Sequence, residues 1–192
     1  MGLKIVTTGE NGYLLKHLLL EMNIISSRSF KAKHNYSNID IILHFGSPSD
    51  SEGFKDEKRL YDANITLTLE LIKLAKLSNA KLVFASTMGV HNPNNLYCNL
   101  KFQAEQLIKD NLKDYLIIRI PRVYSKDRNK GLIRDIKENK ISSEDYNKEI
   151  EFADIQDFKS FFDRIINYRG TIDYSGVLQK LSIKEIKEKY GI

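Results

Sequence analysis

The chain has 192 residues, 42% hydrophobic and 29% charged, with 10 Gly and 3 Pro; this describes one globular domain with a core and excludes a disordered or collagen-like chain. A lone cysteine, Cys98, excludes an internal disulfide framework and fits the reducing cytoplasm; the scattered histidines His17, His34, His44 and His91 exclude a structural zinc site, no apolar stretch is long enough to span a membrane, and the N-terminus lacks the layout of a secretory signal. The formal charge of +5 leaves room for anionic small molecules, but Lys and Glu alternate as on a solvated surface, so nucleic acid is not an expected partner.

In chain order, Lys4 to Thr8 is a β-branched run and reads as a buried strand. After a glycine-bearing turn, Tyr13 to Met22 carries enough Leu for a helix buried along one face. Asn23 to Ser26 suggests a second strand, and Ile39 to Leu43, almost uniformly apolar, a third that is covered on both faces. Asn64 to Leu77 has Ile65, Leu69 and Ile72 at helical spacing and predicts a helix opened by Asn64. Lys81 to Ala85 predicts a strand, Tyr97 to Ile108 a helix and Leu116 to Ile120 another strand. Strands alternating with helices of this length mean βαβ units, so the fold class is α/β, a doubly wound parallel sheet.

Beyond Pro121 the pattern loosens. Residues 125–151 are rich in Lys, Asn, Asp and Glu, with a weak helical stretch from Leu132 to Glu138. Phe158, Phe161, Phe162, Ile165 and Ile166 mark an amphipathic helix. Ser182 and Glu185 have the capping-box spacing and open a last short helix ending at Gly191. The expected organisation is a single domain over 1–192, with 125–192 a small region interleaved with it.

Thr8-Gly9-Glu10-Asn11-Gly12-Tyr13-Leu14-Leu15 lies between the first strand and the first helix, where a dinucleotide fingerprint belongs. Gly9 permits a tight turn, and Gly12 lets backbone N–H groups approach a pyrophosphate at the helix N-terminus. The usual third glycine is Leu15 here. The plainer reading is two turn glycines and nothing more. Downstream, the second strand ends in Ser26-Ser27-Arg28-Ser29 without a carboxylate. An arginine flanked by hydroxyls suits a 2′-phosphate, which favours NADP over NAD.

Ser86 and Thr87 sit where the fourth strand should end, at the carboxyl edge where α/β ligands bind. Tyr97 and Lys101 are four residues apart on a predicted helix and emerge from one face. A free tyrosine, with a pKa of about 10, is a poor base at neutral pH. A nearby ammonium is expected to lower that value, and Thr87 to polarise a substrate carbonyl.

These motifs together resemble the extended short-chain dehydrogenase/reductases of the NAD-dependent epimerase/dehydratase kind, which act largely on nucleotide sugars. The resemblance spans nearly the whole chain. It rests on Thr8-Gly9-x-x-Gly12, His44-Phe45-Gly46-Ser47, Asn64, Ser86-Thr87, Tyr97-x-x-x-Lys101 and Arg119-Ile120-Pro121-Arg122-Val123-Tyr124, in that order. Phe152 to Asp157 and Leu181 to Ile186 extend it. It implies a Rossmann fold with a reduced C-terminal substrate-binding region, and Thr87, Tyr97 and Lys101 as the catalytic set. The cofactor shell becomes Gly9, Asn11, Gly12, Tyr13, Leu14, Arg28, Phe45, Gly46, Ser47, Asn64, Tyr97, Lys101 and Val123. For Asn64 the alternative is a residue that merely begins a helix.

Departures bear on substrate. Met88-Gly89 follow Thr87 where nucleotide-sugar 4,6-dehydratases carry Asp-Glu, which argues against dehydration. Between His91 and Tyr97 the loop is short, and the region after Pro121 is trimmed. His91 is a candidate donor to substrate, against the plainer reading of an exposed loop histidine. Arg122 is the better candidate for a diphosphate, because Arg119 sits in a strand where it can pair with a buried acid. Cys98 points away from the Tyr97/Lys101 face and reads as packing.

The expected function is therefore an NAD(P)-dependent oxidoreductase acting on a keto or hydroxyl group of a sugar, expected to be nucleotide-linked. Tyr97 serves as acid/base, Lys101 lowers its pKa and Thr87 polarises the carbonyl. The alternatives are an epimerase of the same family and a non-catalytic NAD(P)-binding sensor or scaffold. No metal is expected. The resemblance also implies a homodimer packed through the helix that carries Tyr97 and Lys101, where Leu100, Ala104 and Ile108 offer an apolar stripe.

Overall fold

The computed structural model of the chain describes residues 3–9, 11–18, 24–26, 38–48 and 53–192. Two compact units emerge: Met1–Ile120 with Ile165–Tyr174, and Pro121–Arg164 with Ser175–Ile192.

The first unit is built on a six-stranded parallel sheet of β1 (Ile5–Thr8), β2 (Ile24–Ser26), β3 (Ile41–His44), β4 (Lys81–Thr87), β5 (Tyr115–Ile120) and β8 (Gly170–Asp173). Their order across the sheet is β2-β1-β3-β4-β5-β8. The order turns back at β1 and β3, the kind of switch point outside whose strand ends α/β ligands bind. Strands β1, β3, β4 and β5 are buried along nearly their whole length, as strands covered on both faces are.

Helices α1 (Tyr13–Leu18), α2 (Glu57–Tyr61), α3 (Leu67–Ser78) and α4 (Leu96–Asn111) flank this sheet in sequence. Asp56 caps α2 and Asn95 caps α4 through side-chain oxygens that accept N–H bonds from Arg59 and Cys98. Helix α3 ends at Asn79 in the left-handed conformation. Leu71, Ile72, Leu74 and Ala75 of α3 meet Leu100, Ala104 and Ile108 of α4 in the central core cluster. This corrects the expected dimer stripe: Leu100, Ala104 and Ile108 form the inward face of their helix and are spent on the core.

Asn64 does not open a helix. Residues Asp62–Thr66 form a π turn that joins α2 to α3, and Asn64 is fully buried within it. Its side-chain amide donates to the Leu60 carbonyl at 2.7 Å, one turn back along the same helical run. That bond is the physical reason a polar residue tolerates the position.

The second unit holds a three-stranded sheet of β6 (Val123–Tyr124), β7 (Glu149–Asp154) and β9 (Gln179–Ser182), in the order β6-β7-β9. Strands β6 and β7 run parallel, and β9 is antiparallel to β7. Helices α5 (Gly131–Lys137), α6 (Ile155–Ile165) and α7 (Ile183–Tyr190) accompany it. Tyr124, Ile133, Ile136, Phe152, Ile183, Ile186 and Tyr190 make a separate core. Ser182 and Glu185 form the expected capping box, and Gly191 ends α7 with φ +59°. Among the described residues no helix is long and apolar enough to cross a membrane.

Candidate active site

The turn after β1 is shaped by a close approach of backbones. Gly9 has φ +81°, and a Cβ on it would stand 2.8 Å from both Cα and N of Gly46. Only glycine satisfies both the left-handed conformation and that contact. Gly12 donates its N–H to the Gly9 carbonyl at 2.7 Å, and Lys16 to the Gly12 carbonyl at 3.2 Å, so the turn runs straight into α1. Asn11 and Gly12 are exposed at its tip, while Tyr13 and Leu14 open the first turn of the helix. Leu15, in the place of a third glycine, is buried. Arg28 lies outside the described residues.

A buried hydrogen-bond string sits beneath the two turns. Thr8 Oγ1 accepts the Gly46 N–H at 3.1 Å and lies 2.8 Å from His44 Nδ1. His44 Nε2 is 3.0 Å from Thr68 Oγ1, and the Thr68 hydroxyl donates to the Asn64 carbonyl at 2.6 Å. Because Thr68 spends its proton on that carbonyl, it must accept from His44, which assigns the Nε2–H tautomer and makes Nδ1 the acceptor for Thr8. Burial, reinforced by Lys101, pushes the His44 pKa down to about 3, so the ring is neutral. Ser47 donates to Asn64 Oδ1 at 3.1 Å. The Gly46 N–H and the Ser47 hydroxyl are therefore engaged internally.

Thr87 closes β4. Its Oγ1 accepts the Gly89 N–H at 3.2 Å and caps a single 3₁₀ turn, Met88–His91. That leaves the hydroxyl proton for another acceptor. Behind the turn stands Cys98: a Cβ on Gly89 would meet its Sγ at 2.5 Å. Gly89→Ala is expected to destabilise the fold by about 1–3 kcal/mol through this overpacking. Urea denaturation should show most of the loss restored in the Gly89→Ala, Cys98→Ala double variant.

Tyr97 and Lys101 lie one turn apart at the start of α4. Lys101 is only 2% exposed. Its Nζ donates to the Ala85 carbonyl at 2.7 Å, two residues before Thr87, and sits 4.5 Å from the Phe84 ring centroid. The Tyr97 ring is stacked on Phe54, with centroids 4.8 Å apart. Among the described residues no hydrogen bond to the Tyr97 hydroxyl is found.

The electrostatics differ from the expectation that Lys101 lowers the Tyr97 pKa. Burial pushes the Tyr97 phenol up, with a smaller contribution from Cys98. Burial also lowers Lys101 to about 7, against an opposing pull from Glu105. A lysine that is half neutral at pH 7 stabilises a phenolate poorly, and desolvation dominates both groups. Above about pH 7, and up to the ordinary lysine value of 10.5, the unfolded chain binds a proton here that the folded chain does not, so stability rises with pH across that window. Lys101→Met is expected to raise the melting temperature near neutral pH and to flatten that rise, as calorimetry at stepped pH would read.

Sequence reasoning missed the acid that organises the back of the site. Glu105 is fully buried, accepts Ser86 Oγ at 2.6 Å and pairs with Arg119 through Nε at 3.0 Å and Nη2 at 2.8 Å. Arg119 continues to Asp173 at 3.2 Å, and Asp173 to His91 Nε2 at 2.8 Å. Ser86 and His91 are thus both engaged with carboxylates. Glu105 stands four residues after Lys101 on one helix face, a spacing that could have flagged it. Val123 and Arg122 belong to the second unit: Val123 is buried in β6, and Arg122 is exposed, its carbonyl accepting from Ala153.

The residues present fit a nicotinamide dinucleotide on two counts. Gly9 and Gly46 meet backbone to backbone at the strand ends, where a Cβ on either would collide with the other turn. Lys101 in its protonated form has three N–H donors and one described acceptor, the Ala85 carbonyl, which leaves two for ligand oxygens.

A profile described as the NAD dependent epimerase/dehydratase family matches residues 6–169. Among solved structures, a dTDP-4-dehydrorhamnose reductase ortholog from Clostridium acetobutylicum is similar with a TM-score of 0.78 at 19% identity, covering 99% of this chain and 81% of that one. The dTDP-4-dehydrorhamnose reductase of Bacillus anthracis, solved with NADP, gives 0.75 at 21% identity, covering 99% and 80%. A UDP-galactose 4-epimerase gives 0.73 at 14% identity, covering 97% and 81%. At these identities the likeness is one of fold. No curated protein sequence matches the chain.

Proposed function

The chain belongs to the NAD dependent epimerase/dehydratase family, and from that premise we propose that it is a reductase acting on the keto group of a nucleotide-linked sugar. The cofactor is a nicotinamide dinucleotide, and we favour NADPH because Arg28 is flanked by Ser27 and Ser29 rather than followed by a carboxylate. When bound, the nicotinamide supplies a hydride. The residues that would hold it are Gly9 and the stretch Asn11–Leu14, the stretch Phe45–Ser47 and the Lys101 amine. Val123 and Asn64 join that shell by resemblance, although the Asn64 side chain is spent on Leu60 and Ser47.

Thr87 donates its hydroxyl proton to the substrate carbonyl oxygen and so polarises it. Tyr97 then delivers a proton to that oxygen as charge develops. The single observation that carries this direction is the partly buried phenol, whose hydroxyl has no hydrogen-bond partner among the described residues and which desolvation keeps protonated at neutral pH. A group kept as an acid serves reduction better than oxidation, which requires the phenolate. His91 and Arg122 remain candidates for the nucleotide phosphates, His91 after release from Asp173.

The test is oxidation of NADPH and of NADH by the full chain against a panel of 3-keto and 4-keto nucleotide sugars. The expected result is turnover with at least one 4-keto sugar, faster with NADPH. Tight cofactor binding without turnover on any sugar would favour a sensor, and equilibration of two sugar epimers without net oxidation would favour an epimerase.

A further inference from the structure

Phe54 lies on a one-turn 3₁₀ helix, Gly53–Lys55, between β3 and α2. It is a large apolar side chain left 38% exposed, so burial alone does not account for where its ring sits. The ring is stacked on Tyr97 at 4.8 Å between centroids, with the planes 29° apart, the offset arrangement that aromatic pairs prefer. Tyr97 needs such a neighbour. Among the described residues no polar partner fixes the phenol hydroxyl, and Lys101 Nζ stands 5.8 Å from the ring centroid, held by the Ala85 carbonyl. Ring orientation is left to packing.

We infer that Phe54 is a positioning residue for the proton donor: its ring, stacked on Tyr97, holds the phenol in one orientation. The inference rests on the reading of Tyr97 as that donor. A proton donor must stand within hydrogen-bond reach of the oxygen it protonates, and a misplacement of about 1 Å can cost about a hundredfold in rate. A flat aromatic face lies against the whole ring and limits the swing of the phenol about its Cα–Cβ bond, whereas an aliphatic side chain of similar bulk covers only part of the ring and lets the hydroxyl shift. The stack therefore predicts that only an aromatic replacement preserves function.

The experiment compares the full-length wild type with Phe54→Leu and Phe54→Tyr. Tyrosine-selective ring labelling, with Tyr97 assigned through Tyr97→Phe, reads the stack directly by NMR. The Tyr97 ring protons should move downfield in Phe54→Leu, where the ring current is lost, and stay in place in Phe54→Tyr. With the keto sugar that the wild type reduces, kcat should fall about tenfold or more in Phe54→Leu, with NADPH affinity unchanged, and return to within about twofold in Phe54→Tyr. An unmoved Tyr97 resonance in Phe54→Leu overturns the inference, as does wild-type turnover by that variant. A wild type that binds NADPH but reduces nothing is a separate outcome: it removes the donor reading, and the positioning role falls with it.

Discussion

Replacing Tyr97 with phenylalanine is expected to lower kcat by about 10²–10⁴-fold, the contribution of a positioned proton donor, while the melting temperature stays unchanged. The fold has nothing to lose at that atom. No described residue hydrogen-bonds the Tyr97 hydroxyl, and the ring that packs against the central core and stacks on Phe54 is retained. Steady-state NADPH oxidation beside a thermal melt checks both halves. Retained turnover would show that the proton comes from elsewhere, with Thr87 the next group to examine. The raised phenol pKa adds a pH signature. If Tyr97 acts as the acid, reduction should show no alkaline loss attributable to it across neutral and mildly basic pH, because the proton to be donated is present throughout.

Glu105→Ala is the substitution with the largest expected effect on stability, a loss of about 3–5 kcal/mol. The carboxylate is fully buried and receives Ser86 and the two-pronged Arg119 guanidinium, with Lys109 at 3.4 Å. Its removal strands a partly buried guanidinium and a buried serine hydroxyl. Glu105→Gln should lose less, because an amide oxygen can still accept from one of them. Burial by itself would raise the Glu105 pKa, but the hydrogen bonds and charges of Arg119, Ser86 and Lys109 leave it below the ordinary 4.5. Its stabilising effect is therefore complete above that value and is lost as pH falls through the folded-state value. Denaturant titrations from pH 7 downward should show an acid limb in the wild type that is shallower in Glu105→Gln. Because Glu105 backs Ser86, the residue before Thr87, cofactor-dependent turnover in Glu105→Gln also reads how far the strand end depends on this acid.

The amino-acid sequence alone determined the fold class, a parallel α/β sheet with flanking helices, and the family to which the chain belongs. Strands such as Ile41–His44 and Tyr115–Ile120 are legible because β-branched and apolar residues run unbroken only where both faces are covered. The pair Tyr97 and Lys101 is legible because four residues make one turn, whatever else the chain does. The capping box at Ser182 and Glu185 is equally local, closed by backbone and side chains within one turn. The short strands Gly170–Asp173 and Gln179–Ser182 were not legible, since their half-polar residues owe their pairing to partners far away in the chain.

What only the tertiary structure decided is the state of the groups that the spacing identifies. Protonation depends on how much water surrounds a group, and burial is a property of the assembled fold. The same Lys101 that local spacing casts as a cation beside Tyr97 is, once covered, titrating near neutrality, and Tyr97 is held as an acid. Asn64 has the composition of a helix start and is instead locked inside a π turn by Leu60 and Ser47. Phe54 is an isolated aromatic in a polar stretch, without any period to mark it, and acquires meaning because β3 and α4 bring it onto the Tyr97 ring. Contacts between residues distant in sequence, and the desolvation they impose, are set by packing and have no local signature.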